Sequence, residues 1–229
     1  MSASPVYTDQ INAAPPFLNV YDYHAPVRAL LEDFVHARYA ASYQANISHF
    51  QPYLLAAMEG LEVHAVLGLR PGACGTFFVE QYLDTSIEQL LTQRQGRVVA
   101  RERIIETGNL AATRGGSQLL FIVLTQVLHA AGYRWITFTA TPQVRALLQR
   151  LGFAPQTICE ADGTRLGEQA ALWGSYYDNK PSVLIGDIAS AHLILQGNEL
   201  AQKVLREHAA AIADIVATLQ TLKGVQEHE

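Results

Sequence analysis

Cysteine is almost missing from this chain of 229 residues, with Cys74 and Cys159 as its only two. They stand far apart, without CxxC spacing or paired histidines nearby, so neither a disulfide framework nor a zinc site is indicated, and a reducing, cytoplasmic setting fits. Long apolar runs are also lacking. The longest, Leu119 to Leu124, is far short of the roughly 18 residues that a membrane-spanning helix needs. The first twenty residues carry no basic n-region and no continuous apolar h-region, which reads as a poorly ordered arm, 1–20, and not as an export signal. Basic charge is in deficit: 16 Lys and Arg face 21 Asp and Glu, a net charge of −5. That balance disfavours nucleic acid and anionic lipid as main partners. The eight histidines form no HxxxH or HxxE pair, so no metal is expected. Ser42, Ser48 and Ser117 lack a GxSxG elbow, which leaves a serine hydrolase unsupported.

What is present is ordinary for a folded domain: 49% hydrophobic and 16% charged residues, too apolar for disorder. Residues 26–45 place Val27, Leu30, Leu31, Phe34, Val35 and Tyr39 at helical spacing behind Pro26. Residues 61–69 read as a strand ended by Pro71-Gly72, with a second short strand at 75–79. VVARERIIET, 98–107, alternates as a half-buried strand before the turn-rich GNLAATRGGS. In that alternation Glu102, Ile104 and Glu106 share one face. A helix over 117–131, a strand over 135–140, a helix from Thr141-Pro142 to Leu151 and a strand near 155–160 follow. SVLIGDI after Pro181 is a last strand, and Glu199 to Leu222 a long amphipathic helix. Alternating strands and helices imply an α/β domain with helices on the faces of the sheet.

Residues 109–153 carry the most chemistry. A strand ends, Arg114-Gly115-Gly116-Ser117 exposes backbone N–H groups, and a helix begins at once, an arrangement that attracts an anion through unpaired amides and the helix dipole. This segment resembles the acyl-CoA-binding core of the GNAT superfamily of N-acyltransferases, which ends in a Gly-Phe like Gly152-Phe153. The blocks FFVEQYLDTSIEQLL, IIETGNLA, WITFTAT and ALWGSYYDNKPSV, within residues 26–190, resemble the thermostable hemolysin family, related in fold to GNAT enzymes. Two of them also loosely resemble acyl-homoserine-lactone synthases.

The resemblance implies a GNAT-like α/β fold over 21–190: a central mixed, mostly antiparallel sheet flanked by helices, with a C-terminal helical extension over 191–229. It further implies acyl-CoA or an acyl-phosphopantetheine on an acyl carrier protein as donor, and a small amine as acceptor. The thioester is expected in a splay between the strand ending near Asn109 and the strand at 135–140. Asn109, Leu110, Arg114, Gly115, Gly116 and Ser117 then hold the carrier. Thr141 and Leu148 stand where GNAT enzymes often have asparagine and the tyrosine that protonates the thiolate, so either another residue is the acid, with Tyr177 or its neighbour Tyr176 as the candidates, or the reaction differs; the alternative for both rings is core packing with their hydroxyls satisfied.

Glu106 and Glu80 are the candidate bases, since a carboxylate at the end of a buried strand has its pKa raised by desolvation. The alternative is that Glu80 and Asp84 pair with Arg94 or Arg97 and hold strands in place. Asp84, Trp135, Thr139, Trp173 and Tyr176 are expected to line the substrate pocket. A rival reading makes the helix at 199–222 a membrane-active element. Its polar face is poor in basic residues, which favours packing on the body or on a twin subunit in a homodimer.

Overall fold

The computed structural model describes residues 16–113 and 115–224. Seven strands form one sheet in the order β1-β2-β3-β4-β5-β7-β6. They are β1 (Phe17–Tyr21), β2 (Tyr53–Glu59), β3 (Glu62–Pro71), β4 (Ile104–Ala112), β5 (Trp135–Ala140), β6 (Gln156–Glu160) and β7 (Ser182–Asp187). Only β4 and β5 run parallel; every other neighbouring pair is antiparallel. The α/β, mostly antiparallel fold read from the sequence is therefore the one observed.

One face of the sheet is covered by α1 (Arg28–Tyr43), α2 (Ile87–Gln95) and short 3-10 turns at Phe78–Tyr82 and Gly163–Trp173. Leu31, Val35 and Tyr39 of α1 pack there on Leu54, Ala56 and Val66. The opposite face carries α3 (Gly116–Ala130), α4 (Pro142–Arg150), α5 (Ile188–Gln196), α6 (Glu199–Glu207) and α7 (Ala209–Gly224). Leu120, Val123, Leu124 and Val127 of α3 meet Leu55, Leu67, Leu69 and Ile105 there. Thr141, Asp187 and Asn198 accept from the backbone N–H groups of Val144, Ser190 and Ala201, and so start α4, α5 and α6.

Several expectations give way. Phe17–Val20 is not loose arm: it pairs with β2 from Phe17↔Met58 onward, and Leu18 is buried in the main core. Residues 75–79 form no strand, because Gly72–Cys74 and Phe78–Tyr82 close as 3-10 turns. The strand expected at 98–107 begins only at Ile104 and runs through the supposed loop to Ala112, held by β3 on one side. The C-terminal helix breaks at His208, whose φ and ψ are −107° and 17°. Ile212, Ile215 and Leu219 of α7 belong to the same cluster as Leu18 and Leu128. From Val204 to Leu219 the apolar stripe read as a candidate membrane surface is thus covered by the body of the protein itself, while Leu200 stays exposed. Among the described residues, no helix is long and apolar enough to cross a membrane.

Candidate active site

The parallel pairing of β4 with β5 runs from Ile104↔Trp135 to Thr107↔Phe138 and stops, although β4 continues to Ala112 and β5 to Ala140. Beyond Thr107 the two strands diverge. Asn109 adopts φ 50°, and the β3–β4 register shifts between Val66 and Gly68, which marks a bulge at the point of divergence. A cavity of about 60 Å³ occupies the splay and is lined from both faces of the sheet, by Tyr43, Thr139 and Tyr176 on one side and Leu67, Phe121 and Phe138 on the other. It shares Tyr39, Thr107, Asn109, Thr139 and Tyr176 with a larger cavity of about 200 Å³ on the α1 face. A third cavity, about 350 Å³, lies on the α3 face and shares Phe121 and Phe138 with the splay. Among the described residues its only ionisable lining residue, Asp187, is ion-paired with Arg134.

Glu106 forms the floor of the 200 Å³ cavity and is 1% exposed. Its Oε2 accepts from the backbone N–H of Phe78 at 2.7 Å and its Oε1 from that of Val79 at 2.8 Å. Burial pushes its pKa up to about 7, against the opposing pull of these two amides and of Arg70, whose Nε is 3.8 Å away. Desolvation wins over two good hydrogen bonds. The result is a carboxyl group that can hold or release a proton near neutrality.

Glu80 differs in every respect that matters. Its carboxylate accepts from Phe77 N–H and Ile87 N–H at 2.9 and 3.0 Å, and from Arg101 in a two-pronged pair at 2.7 and 2.9 Å. Burial would raise its pKa, but Arg101 and these amides outweigh it and hold the group below the usual range. Glu80 therefore ties the 3-10 turn to α2 and stays outside the Glu106 cavity. Arg101, not Arg94 or Arg97, is its partner; it also reaches Glu88 at 2.5 Å and lies over the Phe77 ring. Arg101→Ala is expected to cost about 2–4 kcal/mol by stranding two carboxylates in this partly buried site, read as a lowered denaturant midpoint with an unchanged slope.

The remaining expectations divide. Thr139, Trp173 and Tyr176 line the Glu106 cavity, and the Oγ1 of Thr139 is buried without a hydrogen-bond partner among the described residues. Asp84 does not join them: its carboxylate is 93% exposed and pairs with Arg165 at 2.7 Å. Trp135 lines the third cavity instead. Tyr177 lines neither the splay nor the Glu106 cavity, and its hydroxyl is engaged by that of Tyr82 at 2.5 Å. Burial pushes its pKa up to about 12.

Tyr176 reaches both cavities and no hydrogen bond ties its hydroxyl among the described residues; burial raises its pKa well above the ordinary value. Asn109 uses its side chain as a strap, accepting from Gln51 N–H at 2.8 Å and donating to the His49 carbonyl at 3.2 Å. Leu110 lines the splay. Gly115, at φ 85°, precedes α3, and Gly116 opens it where a Cβ would come within 2.8 Å of Ala65. Ser117 follows in the first turn, whereas Arg114 lies outside the described residues.

Sequence reasoning missed Arg70, Gln51, Phe78 and the α1 tyrosines Tyr39 and Tyr43. Arg70 sits opposite Glu106 across β3 and β4, a pairing that depends on register and not on spacing. Among the described residues, no group of three or more His, Cys, Asp or Glu is placed to hold a metal ion.

This sheet, opened between two parallel strands and followed at once by a glycine-led helix, is an acyltransferase-like fold. It is similar in fold to the acyl-homoserine-lactone synthase LasI, with 9% identity and a TM-score of 0.52 over 77% of this chain and 91% of that one. The N-acyl amino acid synthase FeeM, from uncultured soil microbes, is similar at 12% identity and a TM-score of 0.53, over 82% of this chain and 97% of that one. The CoA-dependent acyl-homoserine-lactone synthase BjaI, solved with SAM and isopentyl-CoA, matches at 12% identity and a TM-score of 0.52, covering 90% and 99%. No curated protein matches by sequence. The chain belongs to the thermostable hemolysin family, whose family model matches residues 21–192.

Proposed function

We propose that this protein transfers an acyl group from an acyl thioester, either acyl-CoA or an acylated carrier protein, to a small amine. The observation that carries the reading is the buried Glu106 carboxyl, poised near neutrality at the floor of a cavity that opens into the β4–β5 splay. The similarity in fold to acyl-homoserine-lactone and N-acyl amino acid synthases supports it.

In this reading the pantetheine arm lies in the splay, where the unpartnered hydroxyl of Thr139 offers a hydrogen bond, and its phosphates meet the start of α3 at Gly115 to Ser117. The acyl chain turns past Phe121 and Phe138 into the apolar cavity on the α3 face. The amine enters from the α1 face. Its nitrogen bonds to the thioester carbonyl carbon, the carbon–sulfur bond breaks, and the N–H proton passes to Glu106. The thiolate leaves hydrogen-bonded to the Tyr176 hydroxyl and is protonated to the free thiol by solvent, to which Glu106 returns the proton it took. With its pKa well raised, Tyr176 stabilises the sulfur by donating a hydrogen bond while keeping its proton.

Two measurements test this. Calorimetric titration with acyl-CoA and with acyl carrier protein is expected to show binding of one of them; binding of neither contradicts the reading. Tyr176→Phe is expected to slow transfer from an alkyl thioester by about tenfold or more. It should barely affect an aryl thioester, whose leaving group needs no help. Equal slowing of both removes Tyr176 from the leaving-group role.

A further inference from the structure

Glu106 does not stand alone in its cavity. Its cross-strand partner Arg70 lines the same space, donates through Nε to the Gln51 side-chain oxygen at 2.8 Å, and holds that nitrogen 3.8 Å from Glu106 Oε2. The fork of Arg70 is left over: among the described residues, no hydrogen bond reaches its two terminal nitrogens. The Arg70 side chain is only 27% exposed, so a plain amine bound beside it would leave those donors poorly solvated and unpaired. A planar fork of this kind matches a carboxylate. The walls above the charged pair are rings, from Tyr23, Phe50, Phe78, Tyr82, Trp173 and Tyr176.

Building on the acyl-transfer reading, we infer that the acceptor is a free α-amino acid with an apolar or aromatic side chain. Its amine meets Glu106, its carboxylate takes the fork of Arg70, and its side chain lies against the rings. Adjacent carboxyl and guanidinium groups suit the short separation between the amine and carboxylate of one α-carbon. A polyamine places a second positive charge near Arg70 and is disfavoured.

The test uses the unaltered full-length protein with four probes: L-phenylalanine, L-leucine, and their decarboxylated analogues phenethylamine and isoamylamine. In calorimetry the amino acids are expected to bind at least about tenfold more tightly than their analogues, the worth of one charged hydrogen-bonded contact. Arg70→Met should bring the amino acids down to the level of the analogues measured on the same variant, and Arg70→Lys should restore part of the difference. Near-ultraviolet circular dichroism checks that both variants fold, and the comparison on the parent protein does not depend on them. Equal affinity for amino acid and analogue, or binding of none of the four, overturns the inference.

Competition between L-phenylalanine and phenethylamine for octanoyl groups, supplied as octanoyl-CoA and as octanoyl carrier protein, separates the two levels of the reading. Equal yields of both amides sink the amino acid acceptor and leave acyl transfer standing. Carboxylate-dependent binding without thiol release from either donor supports the amino acid site and sinks acyl transfer.

Discussion

Glu106→Gln is expected to lower the rate of acyl transfer by at least about a hundredfold, because the amide cannot take the proton that the attacking nitrogen must lose. In the parent protein kcat/KM should rise with pH through an inflection near 7, where burial has placed the Glu106 pKa, and the variant should lack that limb. The same group sets a stability signature. Its folded pKa of about 7 exceeds the ordinary 4.5, so between these values the folded state binds more protons than the unfolded one. Stability is therefore greatest below pH 4.5 as far as this group is concerned, and falls by about 3 kcal/mol as pH rises through 7.

Glutamine does not titrate, so the variant loses that slope. Glutamine is also not an innocent replacement. The carboxylate receives N–H groups on both oxygens, from Phe78 and Val79, whereas an amide has one acceptor and turns its NH2 toward the other donor, at a local cost of about 1–3 kcal/mol. The sequence alone suggests unchanged or raised stability for this change. The geometry instead predicts a loss, larger at pH 5 than at pH 8, measured by denaturant unfolding at the two pH values. Full retention of transfer would place the base elsewhere.

Ending the chain at Gly197 is expected to abolish the cooperative fold. The deletion removes Ile212, Ile215 and Leu219, which are 8%, 0% and 0% exposed, and uncovers Leu18 of β1 and Leu128 of α3, which share their cluster. At about 1.5–3 kcal/mol for each buried aliphatic side chain, the loss is comparable with the whole stability of a typical domain, about 5–15 kcal/mol. Circular dichroism during thermal unfolding should show no sigmoidal transition for the shortened chain. A cooperative transition near that of the parent would show that α6 and α7 are an appendage. Because the body needs these helices, liposome leakage with the shortened chain would report on unfolded polypeptide; the intact protein is the informative sample for a membrane reading.

The parts of this fold that the sequence discloses are those where periodicity and chain punctuation agree. The strand at 135–140 and the helix that Thr141-Pro142 starts are recovered because an apolar run, a cap and a proline coincide there. β1 and β2 escape notice because β1 abuts a proline-rich terminus and β2, YLLAAME, is buried on both faces and shows no alternation. The break at His208 has no glycine or proline to announce it.

At the site, Glu106 is legible because an acidic residue follows the apolar pair Ile104-Ile105 in a strand-like segment, although the strand continues past it to Ala112. Its partners are not, since Phe78, Arg70 and Tyr39 arrive from three other segments through tertiary packing. Glu80 looks equivalent in sequence. Only the position of Arg101, twenty-one residues away, separates a structural carboxylate from a candidate base. Tyr176 and Tyr177 are adjacent in the chain, yet the Tyr177 hydroxyl is consumed by Tyr82, whereas Tyr176 lines the splay and no hydrogen bond ties its hydroxyl among the described residues.

The central claim, that the splay and Glu106 together perform amine-dependent thioester cleavage, is tested most directly by following thiol release at pH 8. Octanoyl-CoA and octanoyl carrier protein serve in turn as donor, with and without a mixture of free amino acids and simple primary amines, and mass spectrometry identifies the products. The account predicts that one donor releases thiol only when the mixture is present, in step with the appearance of an N-octanoyl amide, and that Glu106→Gln suppresses both signals together. Thiol release that ignores the mixture, or none from either donor, would contradict it.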